Sequence, residues 1–291
     1  MPDPSWPRRG EPAARARRPA SADSDTASLS VAEFEEFRRH VLALTQIDLD
    51  QYKRPQLFRR LATLPHLGDV PDLGGYAQRL ASEPAELAFF RGWLTINVTE
   101  FFRDPPRWIE LRDRLLPGLL ARRPALRIWS AGCSNGAEPY SLAMLLDDFP
   151  GTGPHHILAT DIDPAALAVA RDGGPYPETQ LQNLSPWRLD RFFLQSEDES
   201  AWYVRPELHS QVTFHQTDLT RPSPERNFDL IVCRNVIIYL TGAARNDVLR
   251  HLTGALRPDG VLFLGGAELV ARANPFGLTP SDPCFYRRQA P

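Results

Sequence analysis

The sequence predicts an α/β protein with a mostly parallel central sheet, preceded by a small all-helical domain. From residue 126 onward, strand-like apolar runs alternate with helical stretches. Such alternation is typical of a parallel sheet with right-handed crossovers and helices on both faces. The residues before it show helical periodicity without strand-like runs. A turn of small residues at 132–136 follows the first apolar run, at the place where α/β proteins bind nucleotide-like cofactors.

The N-terminal part divides into a leader and a helical domain. Residues 1–29 are rich in Pro, Arg, Ala and Ser, and we expect them to form a disordered leader. Ser30, followed three residues later by Glu33, forms a capping box, and it begins the helical domain that we place at 30–97. The spacing of apolar residues predicts its helices at 30–44, 50–64, 72–81 and 84–96.

A linker and one further helix are expected at 98–124. Asp104 precedes Pro105 and Pro106, an order typical of a helix N-terminus with Asp as its cap. The sheet domain is placed at 125–291. Its main elements are predicted as strands at 126–131, 156–160, 228–233 and 261–264 and helices at 139–148, 164–171 and 241–256. The segment 173–211 fits this alternation poorly, and we expect an insertion there, with a helix at 186–194 and short strands near 202–205 and 212–215.

The glycine turn contains Gly132 and Gly136 and leads into a helix at Glu138. Glycine lets the backbone approach a ligand closely. The spacing differs from the G-x-G-x-x-G of NAD-binding proteins, and no Lys-Ser/Thr pair follows as in a P-loop. A cofactor without phosphates is therefore favoured, with S-adenosylmethionine as the leading candidate, and we predict that Gly132 and Glu138 contact it. The alternative for Glu138 is a favourable interaction with the helix dipole.

Acidic residues follow two further strands. Asp161 lies roughly 20–30 residues after the glycine turn, where a carboxylate can accept two hydrogen bonds from ribose hydroxyls. Asp163 precedes Pro164 and is expected to cap a helix. Asp218 is predicted to accept a hydrogen bond from an adenine amino group while the backbone of Leu219 serves the ring nitrogen. A turn aspartate is the competing interpretation of Asp218.

Arg234, Asn235 and Tyr239 follow the apolar strand at 228–233. Charged and amide side chains emerging from such a run cost desolvation energy unless they face a cavity or a partner. The order Arg-Asn-Val-Ile differs from the Asp/Asn-Pro-Pro-aromatic order of amino-methyltransferases that act on flipped bases, which disfavours a nucleobase acceptor. Tyr239 is predicted to face the acceptor, with a packed core ring as the alternative.

Composition excludes several classes of function. The net charge of −3 gives no global field for nucleic acid or membrane, and the longest apolar runs are too short to span a bilayer. The three cysteines are scattered, without a CxxC pair or a histidine cluster, so neither a disulfide framework nor a zinc site is predicted. We therefore expect a cytoplasmic protein that binds no nucleic acid, does not insert into a membrane and is a monomer.

Together these motifs resemble the CheR family of chemotaxis-receptor methyltransferases, which are protein-glutamate O-methyltransferases. The resemblance runs from about residue 33 to 288, and its sharpest elements are segments 97–104, 129–141, 159–164 and 233–239. It implies a class I S-adenosylmethionine-dependent methyltransferase domain with a Rossmann-like sheet, a helical N-terminal domain and a small β-subdomain. It further implies that the residues around the cofactor and the acceptor are Asn97, Thr99, Arg103, Glu138, Asp161, Asp218, Leu219, Arg234, Asn235 and Tyr239.

The resemblance also implies a partner and a reaction. The partner would be the acidic helical bundle of a chemoreceptor-like protein, meeting the helical domain at Lys53, Arg54, Arg59 and Arg60, for which a solvated helix face is the alternative. S-adenosylhomocysteine would be the product, no metal would take part, and Arg103, Arg234 and Tyr239 would act on the acceptor. The chain departs from the family at Gly266-Ala267, where His-Ser is usual, at His209-Ser210, where Arg-Arg is usual, and at Ala137, where a second Glu is usual.

The reaction expected from this resemblance is transfer of a methyl group to glutamate carboxylates. Two other readings stay open, and in the first of them the departures at 209–210 and 266–267 would mark lost turnover. The chain could be a non-catalytic S-adenosylmethionine-binding adaptor of the same fold, or a methyltransferase for a different carboxylate acceptor.

Overall fold

The computed structural model describes residues 31–223, 225–270 and 275–289. The predicted leader and Ser30 of the capping box lie outside these residues. The chain divides into two compact units. The described part of the helical unit is 31–96 together with Ile238–Asn246. That of the sheet unit is 97–223, 225–237, 247–270 and 275–289.

The helical unit is built around aromatic side chains. The rings of Phe37, Tyr76 and Phe90 lie 6.0 to 6.4 Å from one another, and all three side chains are fully buried. The second helix is shorter than the predicted 50–64, because Pro55 fixes its first turn and a separate 3-10 turn occupies Leu49–Gln51. The helices of the unit are α1 (Val31–Thr45), α2 (Arg54–Leu61), α3 (Leu73–Ser82) and α4 (Pro84–Thr95).

The segment Ile238–Asn246 belongs to the helical unit, although it follows a strand of the sheet in the chain. The backbone N–H of Lys53 donates to the carbonyl of Tyr239 at 2.9 Å, and the N–H of Thr241 donates to the carbonyl of Gln51 at 2.7 Å. Tyr52 and Leu240 form an antiparallel bridge beside these bonds. The structure therefore differs from the division predicted at residue 97, which placed all of 125–291 in one domain.

The sheet unit contains a seven-stranded sheet in the order β5-β2-β1-β6-β7-β9-β8. Strands β5, β2, β1, β6 and β7 are parallel, and β9 pairs antiparallel with both β7 and β8. Strands β3 and β4 form a separate antiparallel pair. The strands are β1 (Arg127–Ala131), β2 (His156–Asp161), β3 (Phe193–Gln195), β4 (Trp202–Val204), β5 (Val212–Gln216), β6 (Phe228–Cys233), β7 (Leu256–Leu264), β8 (Leu278–Asp282) and β9 (Phe285–Arg288).

Helices cover the sheet and complete its core. Strands β1, β2 and β6 are buried along nearly their whole length, as expected for a parallel sheet covered on both faces. A π-helical stretch at Leu111–Leu115 joins the first two helices of the unit. The helices of the sheet unit are α5 (Pro105–Glu110), α6 (Leu116–Arg122), α7 (Ala137–Leu146), α8 (Pro164–Asp172), α9 (Pro186–Phe192) and α10 (Pro206–His209). Helix α11 (Gly242–Ala255) begins in the helical unit and belongs to the sheet unit from Asp247 onward.

The predicted mostly parallel sheet with helices is confirmed, with three differences in detail. The short strand near 212–215 is β5, an edge strand of the main sheet, because its backbone pairs with β2 from Ile157↔Val212 onward. The helix predicted at 186–194 ends at Phe192, since Phe193 enters β3. Strands β8 and β9 were not predicted from the sequence. Among the described residues, none of the helices is both long and apolar enough to cross a bilayer.

Candidate functional site

The candidate site lies at the carboxyl edge of the central strands. Strand β1 stands between β2 and β6, so the loops that follow these three strands leave the sheet side by side. Ligands of parallel α/β sheets bind at this edge. The predicted residues at 132–138, 161–163 and 234–235 follow β1, β2 and β6 respectively, and the fold therefore brings them together.

The glycine turn after β1 has a backbone that few side chains allow. Gly132 and Gly136 have φ values of 83° and 93°, and Ser134 between them also has a positive φ of 49°. The N–H groups of Gly132 and Cys133 both donate to the carbonyl of Thr160 in β2. A Cβ atom on Gly132 would lie 2.5 Å from a methyl group of Val236, so the turn also packs directly on the loop after β6. Glycine at 132 is needed for both conformation and space.

Asp161, the last residue of β2, forms a hydrogen bond with the glycine turn. One carboxylate oxygen accepts the N–H of Ser134 at 2.7 Å, and the other accepts the N–H of Asp163 at 2.9 Å. Burial raises the pKa of Asp161, and its hydrogen bonds from the backbone oppose that shift. Each carboxylate oxygen has a second lone pair, so these bonds leave acceptor capacity for a ligand hydroxyl.

Asp163 caps helix α8, as predicted, by accepting the N–H of Ala165 at 2.9 Å. Its other oxygen accepts a hydrogen bond from the side-chain amide of Asn97 at 2.5 Å. The amide oxygen of Asn97 in turn accepts from the hydroxyl of Ser134 at 3.3 Å. Asn97 therefore ties its own loop to the glycine turn and to the loop after β2.

Glu138 is a nearly buried carboxylate in the first turn of α7. Its side chain is 12% exposed, and it accepts the hydroxyl of Ser130 in β1 at 2.8 Å. Burial is the main cause that raises the pKa of Glu138, the charge of Glu268 adds to it, and the net pKa is about 7. Arg234, the hydrogen bond from Ser130 and Arg103 lower the pKa but do not restore its usual value.

Arg234 brings a cation into this buried edge. Its side chain is 4% exposed and lies 4.0 Å from Glu138 and 3.7 Å from Asp104. Its guanidinium carbon is 4.8 Å from the ring centre of Phe263. Its Nε atom is buried and has no hydrogen-bond partner among the described residues. A buried guanidinium N–H without a partner costs free energy unless a ligand supplies an acceptor.

The loop at 97–104 contributes Thr99 and Arg103, both partly buried. Arg103 donates from its guanidinium to the carbonyl of Val98 at 2.8 Å and lies close enough to Glu138 to lower its pKa. Asp104 precedes α5 as predicted, but its side chain makes no capping bond. Its carboxylate instead forms the ion pair with Arg234, and the predicted capping role of Asp104 is wrong.

Asp218 adopts the turn conformation that was its competing interpretation. One of its carboxylate oxygens accepts from both the N–H and the hydroxyl of Thr220, at 2.9 and 2.7 Å. The carbonyl of Leu219 accepts a hydrogen bond from a ring nitrogen of His251 in α11 at 3.3 Å. The turn holds the backbone at 218–220 in one conformation just after β5, and an adenine-binding role for these residues stays a prediction.

Asn235 and Tyr239 have different surroundings. Asn235 has a positive φ of 61° directly after β6. Its backbone N–H donates to the carboxylate of Glu268 at 2.8 Å. Tyr239 lies in the segment 238–246 of the helical unit, partly buried, where its carbonyl accepts the N–H of Lys53. Its predicted role at the acceptor stays a prediction.

The four basic residues predicted to contact a partner differ in exposure and in the contacts that they make within the chain. Arg60 is partly buried, donates to the carbonyls of Trp93 and Leu94 at the end of α4, and stacks over the Trp93 ring at 4.5 Å. Arg54 pairs with Glu35, and the Lys53 ammonium donates to the carbonyl of Ile238 at 2.8 Å. Arg59 is exposed. Helical spacing alone could not separate the structural cation Arg60 from the exposed Arg59.

Glu268 and Ser130 were missed from the sequence. Glu268 is 2% exposed and accepts backbone N–H groups after β6 and β7. The sequence signal was an acidic residue shortly after the last apolar strand, in Gly265-Gly-Ala-Glu268.

The departures from the family pattern at 266–267 and 209–210 have no contact with the candidate site among those described above. Gly266 and Ala267 are exposed, and His209 contacts the carbonyl of Arg171 in α8.

The side chains at this edge fit S-adenosylmethionine better than a phosphate-bearing cofactor. Asp161 and Glu138 place a buried and a nearly buried carboxylate at the glycine turn, where they would repel phosphate groups. The same carboxylates suit the ammonium, sulfonium and ribose hydroxyls of S-adenosylmethionine. The Nε atom of Arg234, which has no partner among the described residues, could donate a hydrogen bond to a carboxylate of the cofactor or of the acceptor. Among the described residues, no cluster of three or more His, Cys, Asp and Glu side chains has the arrangement of a metal site.

Comparison with known proteins agrees with this reading. Residues 97–283 match the family model described as the CheR methyltransferase, SAM binding domain, and residues 32–95 match the CheR methyltransferase, all-alpha domain. A chemotaxis protein methyltransferase of Listeria monocytogenes is 37% identical over 86% of this chain and 95% of its own length. One from Escherichia coli K12 is 36% identical over 83% and 85%. Chemotaxis protein methyltransferase 1 of Pseudomonas aeruginosa is 34% identical over 83% and 91%.

The matches cover both the helical unit and the sheet unit, and the relatives are covered over nearly their whole length. This chain belongs to the CheR methyltransferase family.

Proposed function

We propose that this protein transfers the methyl group of S-adenosylmethionine to glutamate side chains of a chemoreceptor-like protein, forming methyl esters. The observation that carries the proposal is the buried Arg234, which lies beside Glu138 at the carboxyl edge of the sheet with its Nε unpaired. Membership in the CheR family and the names of its relatives as chemotaxis protein methyltransferases support the same acceptor.

The residues that would hold the cofactor are those around the glycine turn. Asp161 would accept hydrogen bonds from ribose hydroxyls, and Glu138 would face the ammonium group, which S-adenosylhomocysteine also carries. Asp218 and Leu219 would bind the adenine. When bound, S-adenosylmethionine supplies an electrophilic methyl group on a positively charged sulfur, and S-adenosylhomocysteine is the product.

The chain's own contribution is orientation and exclusion of water. A glutamate carboxylate with a pKa near 4.3 is ionised at neutral pH, so the acceptor needs no general base. The Arg234 guanidinium would hold one acceptor oxygen by a charge-assisted hydrogen bond, with Arg103 nearby. Correct orientation of two reacting groups supplies several kcal/mol, on the order of 7–11 at the limit. Burial of this edge also removes water that would stabilise the separated charges.

The test is transfer of a labelled methyl group to the purified cytoplasmic bundle of a chemoreceptor. We expect label in the bundle that alkali releases as volatile methanol, because methyl esters are base-labile. A bundle with Gln in place of its candidate Glu residues is the control and should stay unlabelled. Cofactor binding without transfer would support the adaptor reading instead, and base-stable label would contradict a carboxylate acceptor.

The pH dependence of cofactor affinity tests the role of Glu138. The pKa of Glu138 is about 7, so its carboxyl group is largely neutral at pH 6 and ionised at pH 8. We expect the affinity for S-adenosylhomocysteine to fall as the pH drops through 7, by up to about tenfold per pH unit. Glu138→Gln should abolish this dependence. Calorimetry at pH 6, 7 and 8 checks it, and a flat wild-type profile would contradict the role of Glu138.

The same pKa predicts an effect on stability in the unliganded protein. Folding raises the pKa of Glu138 from its ordinary value of 4.5 to about 7. Between these two pH values the folded protein therefore binds more protons than the unfolded chain. The contribution of Glu138 to stability therefore decreases as the pH rises through this window.

Tyr239→Phe should lower turnover and leave cofactor affinity unchanged. The substitution removes only the hydroxyl, and the backbone contacts of Tyr239 with Lys53 remain. We expect kcat to fall roughly tenfold through poorer positioning of the acceptor. Tyr52→Phe, a tyrosine of the same unit without a predicted role, is the control. Steady-state methyl transfer measures both variants, and equal kcat values in wild type and Tyr239→Phe would remove Tyr239 from the mechanism.

A further inference from the structure

Glu268 is a buried carboxylate whose partners are backbone N–H groups. Its side chain is 2% exposed. One oxygen accepts the N–H of Asn235 at 2.8 Å and that of Gly265 at 2.7 Å, and the other accepts the N–H of Val236 at 2.8 Å. Three hydrogen bonds from the backbone offset much of the cost of burying this charge.

These bonds lie where two parallel strands separate. The pairing of β6 with β7 ends at Cys233↔Leu264, and the next N–H groups lose their partners in the sheet. Asn235 turns the chain away with a positive φ of 61°. The carboxylate of Glu268 replaces the missing cross-strand carbonyls, and Gly265 leaves room for it. A Cβ atom on Gly265 would lie 2.6 Å from the Glu268 oxygen and 3.0 Å from the Asn235 nitrogen.

The loop that Glu268 holds carries residues of the candidate site. Arg234 and Asn235 were predicted to bind the cofactor or acceptor. Val236, the third residue, packs against Gly132 of the glycine turn, where a Cβ would come within 2.5 Å of its methyl group. A shift of the backbone at 235–236 would therefore move the Arg234 guanidinium and press on the turn.

We propose that Glu268 is a positioning residue for methyl transfer, which fixes the loop 234–236 against the glycine turn by accepting three backbone hydrogen bonds. This inference rests on the proposed function for the reaction that it serves. Glu268 would touch neither acceptor nor cofactor, and it would act through Arg234 and Val236.

The charge of Glu268 gives the proposal a second, independent readout. Glu268 lies close enough to Glu138 to raise the pKa of that carboxyl group. Arg234 and Arg103 oppose this effect, as does the hydrogen bond from Ser130. The thiols of Cys133 and Cys233 also lie near Glu138, and burial keeps them neutral by raising their pKa. Loss of the Glu268 charge should therefore shift the titration of Glu138 to lower pH.

The test compares Glu268→Gln with wild type in the full chain. Whichever way the new amide turns, its NH₂ group faces at least one backbone N–H, so the loop must move. We expect kcat for receptor methylation to fall roughly 10- to 100-fold. We also expect the pH midpoint of S-adenosylhomocysteine affinity to move downward, because Glu138 ionises more easily. General loosening of the fold would lower affinity at every pH without moving the midpoint.

Asp229→Asn is the matched control. Asp229 is also 2% exposed, accepts the N–H of Arg127 at 2.9 Å and pairs with Arg123, but it lies at the opposite end of β6. It should lose thermal stability and keep the wild-type kcat and pH midpoint. Glu268→Asp, which keeps the charge but is one methylene shorter, should lower kcat and leave the midpoint in place. If Glu268→Gln fails to fold, the kcat of Glu268→Asp tests the positioning role.

Wild-type kcat in a folded Glu268 variant, or an equal loss in Asp229→Asn, would overturn the positioning role. An unmoved midpoint in Glu268→Gln would overturn the electrostatic coupling to Glu138. Failure of the proposed function looks different, because wild type itself would then bind the cofactor and methylate no receptor. The pH midpoint needs only the cofactor, so it tests Glu268 in that case as well.

Discussion

Asp161→Ala should lose cofactor affinity by about 100-fold or more, the largest binding effect that we expect in this chain. The Asp161 carboxylate accepts two backbone N–H groups, from Ser134 and Asp163, and would accept the ribose hydroxyls as well. Each hydrogen bond to a charged group is worth about 1.5–3 kcal/mol. The substitution removes the ribose acceptor and leaves both N–H groups without their partner. Calorimetric titration with S-adenosylhomocysteine measures the loss.

Asp163→Ala is the control for this prediction. Asp163 lies two residues away and caps α8 by accepting the N–H of Ala165. Its loss should cost about 0.5–2 kcal/mol of folding stability, as expected for an N-cap. Cofactor affinity should change much less than in Asp161→Ala. Equal cofactor binding by wild type and Asp161→Ala would refute the ribose assignment, as would a greater loss of affinity from Asp163→Ala.

Arg234→Met should reduce turnover by roughly 10²–10³-fold, the cost typical of removing one preorganised donor from a water-poor site. The variant keeps much of the apolar contact with Phe263 and removes the charge beside Glu138 and Asp104. Arg234→Lys should not restore turnover, because an ammonium cannot reproduce the planar donor fork. Single-turnover methyl transfer at saturating cofactor measures the effect apart from binding.

Arg127→Met provides the matched control for Arg234→Met. Arg127 also lies over an aromatic ring, 5.4 Å from the centre of Phe228, and pairs with Glu225 at 2.7 Å. It begins β1 and therefore lies at the amino edge of the sheet. We expect a modest loss of stability and wild-type turnover. Turnover in Arg234→Met that matches Arg127→Met would exclude Arg234 from orienting the acceptor.

The sequence predicted the central strands closely because they are apolar along their length. Strand β6 occupies 228–233 as predicted, and all six of its residues are buried. Strand β8 could not be predicted in this way, since Leu278 is its one buried residue and Pro280 lies in its middle. Tertiary pairing with β9 makes it a strand, and no local pattern announces that pairing.

The sequence predicted where residues lie when their position follows from strand order, and their binding roles stay predictions. Glu138, Asp161 and Arg234 follow three neighbouring strands, and the fold alone brings them to one edge. Glu268 was missed because an acidic residue after a strand does not by itself indicate the backbone N–H groups that it accepts. The hydrogen bond from Arg60 to the carbonyl of Leu94 at the end of α4 was also missed, because its acceptor is a backbone group.

The division of the chain into units has a practical consequence for chimaeras between relatives. The helical unit is discontinuous, since residues 238–246 complete it through hydrogen bonds to Gln51 and Lys53. A graft of residues 31–96 alone would combine helices from one protein with the 238–246 segment of another. The backbone hydrogen bonds between the two stretches would then form between segments of different proteins. Exchange of the helical unit between family members should therefore require both stretches to be transplanted together.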